Sequence, residues 1–349
     1  MKYRTINSEF YCGVDVHPKR SHLCILDNTG KKYLNRNMVN NFDNFKEILN
    51  PFLPNVVVGC ESTYSYYWLA DGCHEHRIPF YLGHALYMKA ISQNKQKNDK
   101  LDAKTIAELL RTNFFPEAYP YPRLMRPTRD LLRRRHRLVR IRAEAYSHIQ
   151  MVAHQYAIDG IGSEQVKNKN YRDRLIDIFK TENLLSMITS DLDVIDSFSP
   201  IIAKLEKEIK DNAIHHNPED FLILQTTPGV GDMLSLIVLY ETHDIQRFPK
   251  HQNYASYSRV VRCSQTSNGK ITGKKNNNMG NPYLKWAFNS IIISAQQSSE
   301  RIKKHYQRLE SRYGKSNARA RIAHKFNTAI YYMLKNSQPF NEKRFVQGK

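Results

Sequence analysis

Four acidic residues, far apart along the chain, have the types and spacing to hold a divalent cation. Asp15 lies within the apolar strand pattern "YCGVDV", and Glu61 ends a second apolar run, "NVVVGCE". Asp99 and Asp102 stand three residues apart in "KNDKLDAKTIAELL", a spacing that puts both on one face of a helix. Because a buried carboxylate without a partner is costly, Asp15 in particular needs a cation, a hydrogen-bond network or a metal.

A metal suits the four acids taken together. Like charges about 4 Å apart repel by roughly 4 kcal/mol at an effective dielectric near 20, so such a cluster needs a counterion. Mg²⁺ prefers carboxylate oxygens, and paired metals stabilise the attacking and leaving oxygens at a phosphodiester. The sequence therefore predicts a Mg²⁺ site at Asp15, Glu61, Asp99 and Asp102. Taken singly, each helix acid also suits a first helical turn, and Glu61 could cap the following helix.

The elements that would position these acids follow an α/β order. Strands are predicted at 11–16, 21–27 and 32–39, then in the run that ends at Glu61 and in "IPFYLGH". Helices are predicted at "FDNFKEILNPFL", at 64–77 and at "KNDKLDAKTIAELLRTN". In this order the first and fourth strands can be neighbours at the centre of a mixed sheet, with the last helix across them. That arrangement would bring the four acids to one edge.

A long helical arm is predicted after this domain. Two series of apolar residues recur every seven positions: Leu131, Leu138, Ala145 and Val152, then Ile188, Ile195, Ile202 and Ile209. This period is typical of a coiled-coil seam, and Pro200 should kink or break the second helix. The first helix carries eight arginines: Arg126, Arg129, Arg133, Arg134, Arg135, Arg137, Arg140 and Arg142. We interpret them as a phosphate-contacting face rather than an ordinary solvated one.

The last part of the chain is predicted to be mainly helical. "TPGVGD" is typical of a helix-hairpin-helix-like junction whose glycines let backbone amides approach a phosphate. The segment from Arg262 to Asn281 is polar, basic and rich in Gly and Asn, which predicts a loop, and an ordered loop of this kind favours a functional role. We predict three domains: a catalytic domain at 8–124, the arm at 125–217 and a C-terminal domain at 218–340.

The charge balance favours a polyanionic partner. Lys and Arg number 53 against 33 Asp and Glu, which gives a net charge of +20, and each phosphate neutralised releases counterions. The five cysteines form no CxxC pair, which argues against a zinc site and is consistent with reduced thiols in a cytoplasm. Since there is no signal-peptide pattern and no apolar run of about 20 residues, we expect a soluble protein without a membrane span.

Six motifs in order give the chain a family resemblance. "GVDVHPK", "VVVGCEST", "KNDKLDAKTIAELL", "TTPGVG", "TSNGK" and "GNPYLKWAF" resemble the DEDD-type transposases of the insertion-sequence-110 family, also known as bridge-RNA-guided recombinases. The resemblance spans about residues 10 to 335. It implies a RuvC-like domain of RNase H fold whose acidic quartet maps onto Asp15, Glu61, Asp99 and Asp102. It also implies a nucleophilic serine, which maps onto Ser267, with Ser264 as the alternative because "YSRVVRCSQTS" departs from the family's usual "GL-x-P".

The resemblance implies a DNA transposase or recombinase that joins DNA transiently to a serine. It also implies a structured guide RNA, a homo-oligomer (a dimer or tetramer) whose subunits share active sites, and a place in the cytoplasm near the nucleoid of a bacterium or archaeon. Two alternatives stay open on the residues alone. One is a RuvC-like nuclease or Holliday-junction resolvase in which metal-activated water attacks, and the other is a nucleic-acid-binding protein without enzymatic activity.

Overall fold

The computed structural model describes residues 5–91, 98–179, 181–261, 264–267, 270–274 and 279–347. The chain divides into two compact units, Met1–Arg123 and Leu124–Lys349. None of the helices in the described ranges combines the length and apolar character that a membrane crossing requires. The further division of the second unit into an arm and a C-terminal domain stays a prediction.

The first unit is built on a five-stranded mixed sheet. Its strands are β1 (Phe10–Val16), β2 (Arg20–Asp27), β3 (Lys32–Val39), β4 (Val56–Glu61) and β5 (Phe80–Gly83). Their order is β3-β2-β1-β4-β5, antiparallel from β3 to β1 and parallel from β1 to β5. Its helices are α1 (Phe42–Leu49), α2 (Tyr67–Glu75), α3 (Ala85–Ile91) and α4 (Asp99–Arg111). The predicted α/β fold class is confirmed, as is the pairing of the first and fourth strands at the sheet centre.

The two faces of the sheet have different partners. Alternate β1 residues, among them Cys12 and Val14, join a core cluster that includes residues of α1 and α2. On the opposite face Tyr11 of β1 and Val57 of β4 share a cluster with Ile106 of α4. Since side chains alternate along a strand, odd-numbered residues of both central strands face α4. Asp15 and Glu61 belong to that set.

The second unit is mainly helical. Its long helices are α5 (Arg126–Gln155) and α8 (Glu182–His216), with α6 (Ser163–Lys167) and α7 (Lys169–Ile178) between them. The remaining helices follow in order: α9 (Pro218–Gln225), α10 (Asp232–Thr242), α11 (His251–Tyr257), α12 (Pro282–Ser298), α13 (Glu300–Tyr313), α14 (Lys315–Lys335) and α15 (Glu342–Gln347). A two-stranded hairpin, β6 (Ser264–Ser267) and β7 (Lys270–Lys274), precedes α12.

The helices α5 and α8 pack side by side in opposite directions. Arg135 pairs with Glu206 and His148 with Asp191, so residue numbers rise along one helix as they fall along the other. The residues of the predicted seven-residue series are buried, except Leu131, which is partly buried. The seam is therefore confirmed. The helix α8 continues through Pro200, so the alternative of a break is wrong.

Two hydrophobic clusters lie along this helix pair. Leu132 of α5 and Ile209 of α8 belong to a large cluster with residues of α10, α12 and α14. Further along the pair, Ile149 and Ile195 belong to a separate cluster completed by α6 and α7. One continuous α5 therefore joins two cores.

The segment from Arg262 to Asn281 contains regular structure, where the sequence predicts a loop. Ser267 pairs with Lys270, so the strands β6 and β7 are separated by two residues, Asn268 and Gly269, which lie outside the described residues. Asn-Gly is the dipeptide most favoured in two-residue hairpin turns. The dipeptide therefore favours a two-residue turn, whereas the polar and basic composition of the whole segment favours a loop.

The glycine-rich junction between α9 and α10 serves packing. Gly229 has φ +74°, and a Cβ there would lie 2.3 Å from the backbone carbon of Ser294 in α12. A side chain at this position is therefore excluded both by backbone conformation and by a neighbouring helix. The requirement for glycine is explained without a bound phosphate.

Candidate active site

Close packing between α4 and the sheet positions the start of that helix. Gly13 of β1 is paired with Gly59 of β4, and both face α4. A Cβ at Gly13 would lie 2.2 Å from the carbonyl oxygen of Ala103 and 2.4 Å from the backbone nitrogen of Ala107. The helix backbone therefore lies directly on the central strand, an approach that only glycine permits.

The first turn of α4 carries two of the predicted acids. Asn98 is the N-cap, and its side chain accepts a hydrogen bond from the backbone nitrogen of Lys100 at 3.0 Å. Asp99 and Asp102 both lie in the first turn, where the helix dipole favours negative charge. Ala103 follows directly, so the contact with Gly13 brings this turn toward the carboxyl end of β1.

Asp15 and Asp99 meet around a histidine. The Nε2 atom of His17 is 3.1 Å from Oδ2 of Asp15 and 3.5 Å from Oδ1 of Asp99. One ligand atom from each of the three side chains lies within 4.8 Å of the other two. The Asp15 side chain is 13% exposed, whereas those of His17 and Asp99 are about half exposed. Asp15 thus forms the largely buried side of the cluster, and His17 and Asp99 form the side that is open to solvent.

The pKa of Asp15 is raised above its ordinary value. Burial is the largest cause, since it disfavours the charged form, and the charges of Asp102 and Asp99 act in the same direction. His17 opposes them, both by charge and by its hydrogen bond. Asp102 is therefore close enough to Asp15 to interact with it electrostatically.

Glu61 lies beside Asp15 in the sheet. Val14 is paired with Cys60 in the parallel ladder, so Asp15 and Glu61 are the next residues along their strands and face the same side. Glu61 is partly exposed. In the part of the chain that the structure describes, the group within 4.8 Å contains neither Glu61 nor Asp102. The structure brings Asp15 and Asp99 together and places the other two acids around them.

The donor set fits a divalent cation. Carboxylate oxygens suit Mg²⁺ and Mn²⁺, and an imidazole nitrogen is a ligand for several transition metals. When burial and two neighbouring acids disfavour the charged form of a carboxylate, an added positive charge stabilises that form. Asp15 meets this condition.

His17 is a site residue that the sequence motifs did not reveal. It follows Asp15 by two positions, and residues at this spacing in a strand point to the same side. His17 lies just beyond the end of β1, yet it still reaches Asp15. The alternation that predicts the strand also places His17 on the same side as Asp15.

The predicted nucleophile lies in the hairpin of the second unit. Ser267 is the last residue of β6 and Ser264 the first, so the alternative serines occupy opposite ends of one short strand. The hydroxyls of both serines lie outside the described part of the structure. The assignment of Ser267 stays a prediction.

Most of the arginines of α5 have partners within the protein, and the phosphate-contacting face stays a prediction. Arg126 and Arg129 are buried. Arg133 pairs with Glu241, Arg135 with Glu206, and Arg142 donates to the Ser199 hydroxyl. Three arginines are exposed: Arg134, Arg137 and Arg140, of which Arg140 also lies 3.6 Å from Glu144. Because they stand three residues apart, they form a narrow stripe along the helix.

Comparison with protein families finds two matches. A model of the DEDD domain of IS110 transposases, described as "Transposase", matches residues 12–158. A second, described as "Transposase IS116/IS110/IS902 family", matches residues 222–307. The first match includes the acid cluster and the second includes the hairpin with Ser267. The search of curated proteins finds no match to the chain.

Proposed function

Because the chain belongs to the IS110 family of transposases, we propose that it cuts and rejoins DNA at the ends of a mobile element and at a target. Transposase domains at both ends of the chain support a DNA-processing enzyme. The observation that carries the proposal is the convergence of Asp15, His17 and Asp99 at the carboxyl end of β1.

In this proposal the carboxylates of Asp15, Glu61, Asp99 and Asp102 hold Mg²⁺. When bound, the metal supplies positive charge that stabilises the negative charge developing on a phosphate in the transition state. His17 contacts both Asp15 and Asp99, and its role is to orient these two carboxylates. Gly13 keeps the first turn of α4 close to Asp15 by allowing the helix backbone onto the strand.

Ser267 is the proposed nucleophile. Its Oγ forms a bond to phosphorus while the bond from phosphorus to one deoxyribose oxygen breaks. The serine proton passes to a nearby base or water, and the departing deoxyribose oxygen gains a proton. A second attack by a DNA hydroxyl reverses these steps and releases the serine. A serine hydroxyl needs activation to react, so the acid site must be near Ser267 during the reaction, supplied by the same subunit or by a neighbouring one.

The partners proposed are DNA, a structured guide RNA and further copies of the chain in a dimer or tetramer. The net charge of +20 supports a polyanionic partner, and so does the exposed stripe of Arg134, Arg137 and Arg140.

Denaturing gels test the proposal. Purified protein is incubated with element-end DNA and Mg²⁺, with and without RNA from the flanking non-coding region. We expect a covalent protein–DNA adduct in the native chain and none in Ser267→Ala, while Ser264→Ala keeps the adduct. An adduct that persists in Ser267→Ala would show that the serine is wrongly assigned. Cleavage without any adduct would favour the nuclease alternative, in which water attacks.

A further inference from the structure

The loop that carries the β6–β7 hairpin is closed at its base by a set of described contacts, which we call the neck. The backbone nitrogen of Asn281 donates to the carbonyl oxygen of Tyr257 at 2.6 Å. The Nε of Arg259 donates to the carbonyl oxygen of Gly280 at 2.9 Å. Gly280 has φ +94°, and a Cβ there would lie 2.5 Å from the Tyr257 carbonyl oxygen. The two ends of the loop are therefore held together.

The side chain of Asn281 makes hydrogen bonds through both its oxygen and its nitrogen. Its Oδ1 accepts hydrogen bonds from the backbone nitrogens of Tyr283 and Leu284 at 2.9 and 3.1 Å, which caps α12. Its Nδ2 donates to Oε2 of Glu241 at 2.7 Å. Asn281 is 4% exposed and Glu241 2%. The bond between them is thus shielded from water. Hydrogen bonds are stronger in such an interior than in water, and a lost one is harder to replace.

Glu241 connects this anchor to α5. Arg133 donates from Nε and Nη2 to the two carboxylate oxygens of Glu241 at 2.7 and 2.8 Å. Its guanidinium also lies over the ring of Tyr283, 4.8 Å from the centroid. Although burial opposes the charge, the hydrogen bonds and charge of Glu241 raise the pKa of Arg133. A bidentate pair of this kind fixes orientation as well as distance.

We propose that Arg133, Glu241 and Asn281 are positioning residues, which set the place of the serine hairpin relative to α5. This inference rests on the proposed function, since it assigns the network a role for Ser267. Capping of α12 needs only the Oδ1 of Asn281, and closure of the loop needs only its backbone nitrogen. The Nδ2 donor serves neither the cap nor this backbone bond: it donates to the buried carboxylate of Glu241 at 2.7 Å and, at 3.3 Å, to the hydroxyl of Tyr257. It links the hairpin to the helix that carries the exposed arginine stripe.

A donor–acceptor swap tests the proposal. Asn281→Asp keeps the cap, because Asp caps helices as well as Asn, but it sets a carboxylate against Glu241. Glu241→Gln combined with Asn281→Asp restores an amide donor facing a carboxylate with the same total charge, but it removes the acceptor of Arg133 Nη2, which bonds to the same oxygen. We expect Asn281→Asp to slow adduct formation about 100-fold at saturating DNA, the scale of a small misplacement. DNA affinity should change less than about threefold, and the double variant should recover part of the rate, because it restores the bond between residues 241 and 281 but not the bidentate pair with Arg133.

Asn41→Asp is the matched control. Asn41 also caps a helix, accepting from the backbone nitrogens of Asp43 and Asn44, but it is exposed. We expect this variant to keep the native rate. If Asn281→Asp reacts like the native chain, or if the folded double variant stays as slow as the single one, the positioning role is wrong.

Amide hydrogen exchange separates this inference from the proposed function. In the single variant, exchange at peptides covering residues 257–260 and 279–284 should rise at least about tenfold, and in the double variant it should return toward the native value. If Ser267→Ala still forms adducts, the serine assignment fails, but the exchange result still tests whether the network fixes the neck. Unchanged exchange in Asn281→Asp would overturn the inference by itself. Should Asn281→Asp fail to fold, the double variant alone decides, since it must fold and react if the donor–acceptor pair is what matters.

Discussion

The acid cluster and the serine hairpin are held in place by different forces. Asp15 and Asp99 are positioned by apolar packing, because Gly13 lets the backbone of α4 lie on the central strand. The hairpin is positioned at its base by hydrogen bonds that end on the buried carboxylate of Glu241, which pairs with the partly exposed Arg133. Sites on helices and strands are held more precisely than sites on loops. The acid cluster is therefore a fixed part of its unit, whereas the serine depends on a polar network.

The largest expected effect comes from removing the buried charge of the acid cluster. Asp15→Asn should lower DNA cleavage by about 1,000-fold, in the range seen when one key electrostatic interaction is removed from an active site. It should also raise the melting temperature in EDTA by about 1–3 °C. The reason is that the raised pKa of Asp15 makes the folded state bind a proton more tightly than the unfolded state. The ionised carboxylate thus reduces stability at neutral pH.

Scanning calorimetry in EDTA and in Mg²⁺ measures the melting temperature without the metal and the change that the metal causes. The native chain should gain stability when Mg²⁺ is added, and Asp15→Asn should gain little. A lower melting temperature for Asp15→Asn in EDTA would show that Asp15 stabilises the fold without a metal, and that the acid cluster is structural.

The next effect tests whether packing positions the acids. Gly13→Ala should destabilise the chain by about 1–3 kcal/mol, because its methyl group meets helix backbone. Cleavage should fall about 100-fold as the first turn of α4 moves. Gly59→Ala is the matched control, since the three atoms nearest to its Cβ would be side-chain atoms of Leu110, the nearest at 2.8 Å. Urea titration and cleavage assays should rank Gly13→Ala as clearly worse, and equal losses would contradict the role of backbone contact.

The smallest effect concerns the arginines of α5. Replacing Arg134 and Arg137 by Ala should weaken nucleic-acid binding and reduce the slope of log K against log salt by about 0.9 for each duplex phosphate that is no longer neutralised. Arg135→Ala should leave that slope unchanged and lower stability by about 1 kcal/mol, because Arg135 pairs with Glu206. Fluorescence anisotropy at several salt concentrations distinguishes the two classes. A reduced slope in Arg135→Ala would mean that the partnered arginines also contact phosphate.

The sequence predicted the sheet and the helix α4 well, and the reason is periodicity. β1, β4 and α4 lie within one or two residues of the predicted bounds, because their apolar patterns depend only on local spacing. The arginines of α5 were harder to interpret, since their partners are remote. Arg133 binds a residue 108 positions away. Charge density along one helix does not reveal which side chains fold inward onto such partners.

The same limit applies to the serine hairpin and to His17. Asn268-Gly269 predicts a turn by local preference, but a polar, basic composition also predicts an irregular loop. His17 was visible as an alternating neighbour of Asp15, and only the position of Asp99 shows that it joins two acids. The neck could not be foreseen, because it depends on contacts among three distant parts of the second unit.

Because α5 is one continuous helix, a change in its length also changes the direction in which its far end faces. One residue inserted between Arg142 and Ala145 would advance the far hydrophobic cluster by about 1.5 Å and turn it by about 100°. Insertions of seven residues, about 10.5 Å, or of eleven, about 16.5 Å, made in both α5 and α8 would lengthen the pair and turn its tip by only about 20°. Relatives that differ in the span of this pair should therefore differ by lengths close to a whole number of helical turns, such as seven or eleven residues, and a change of any other length should reorient whatever the tip binds.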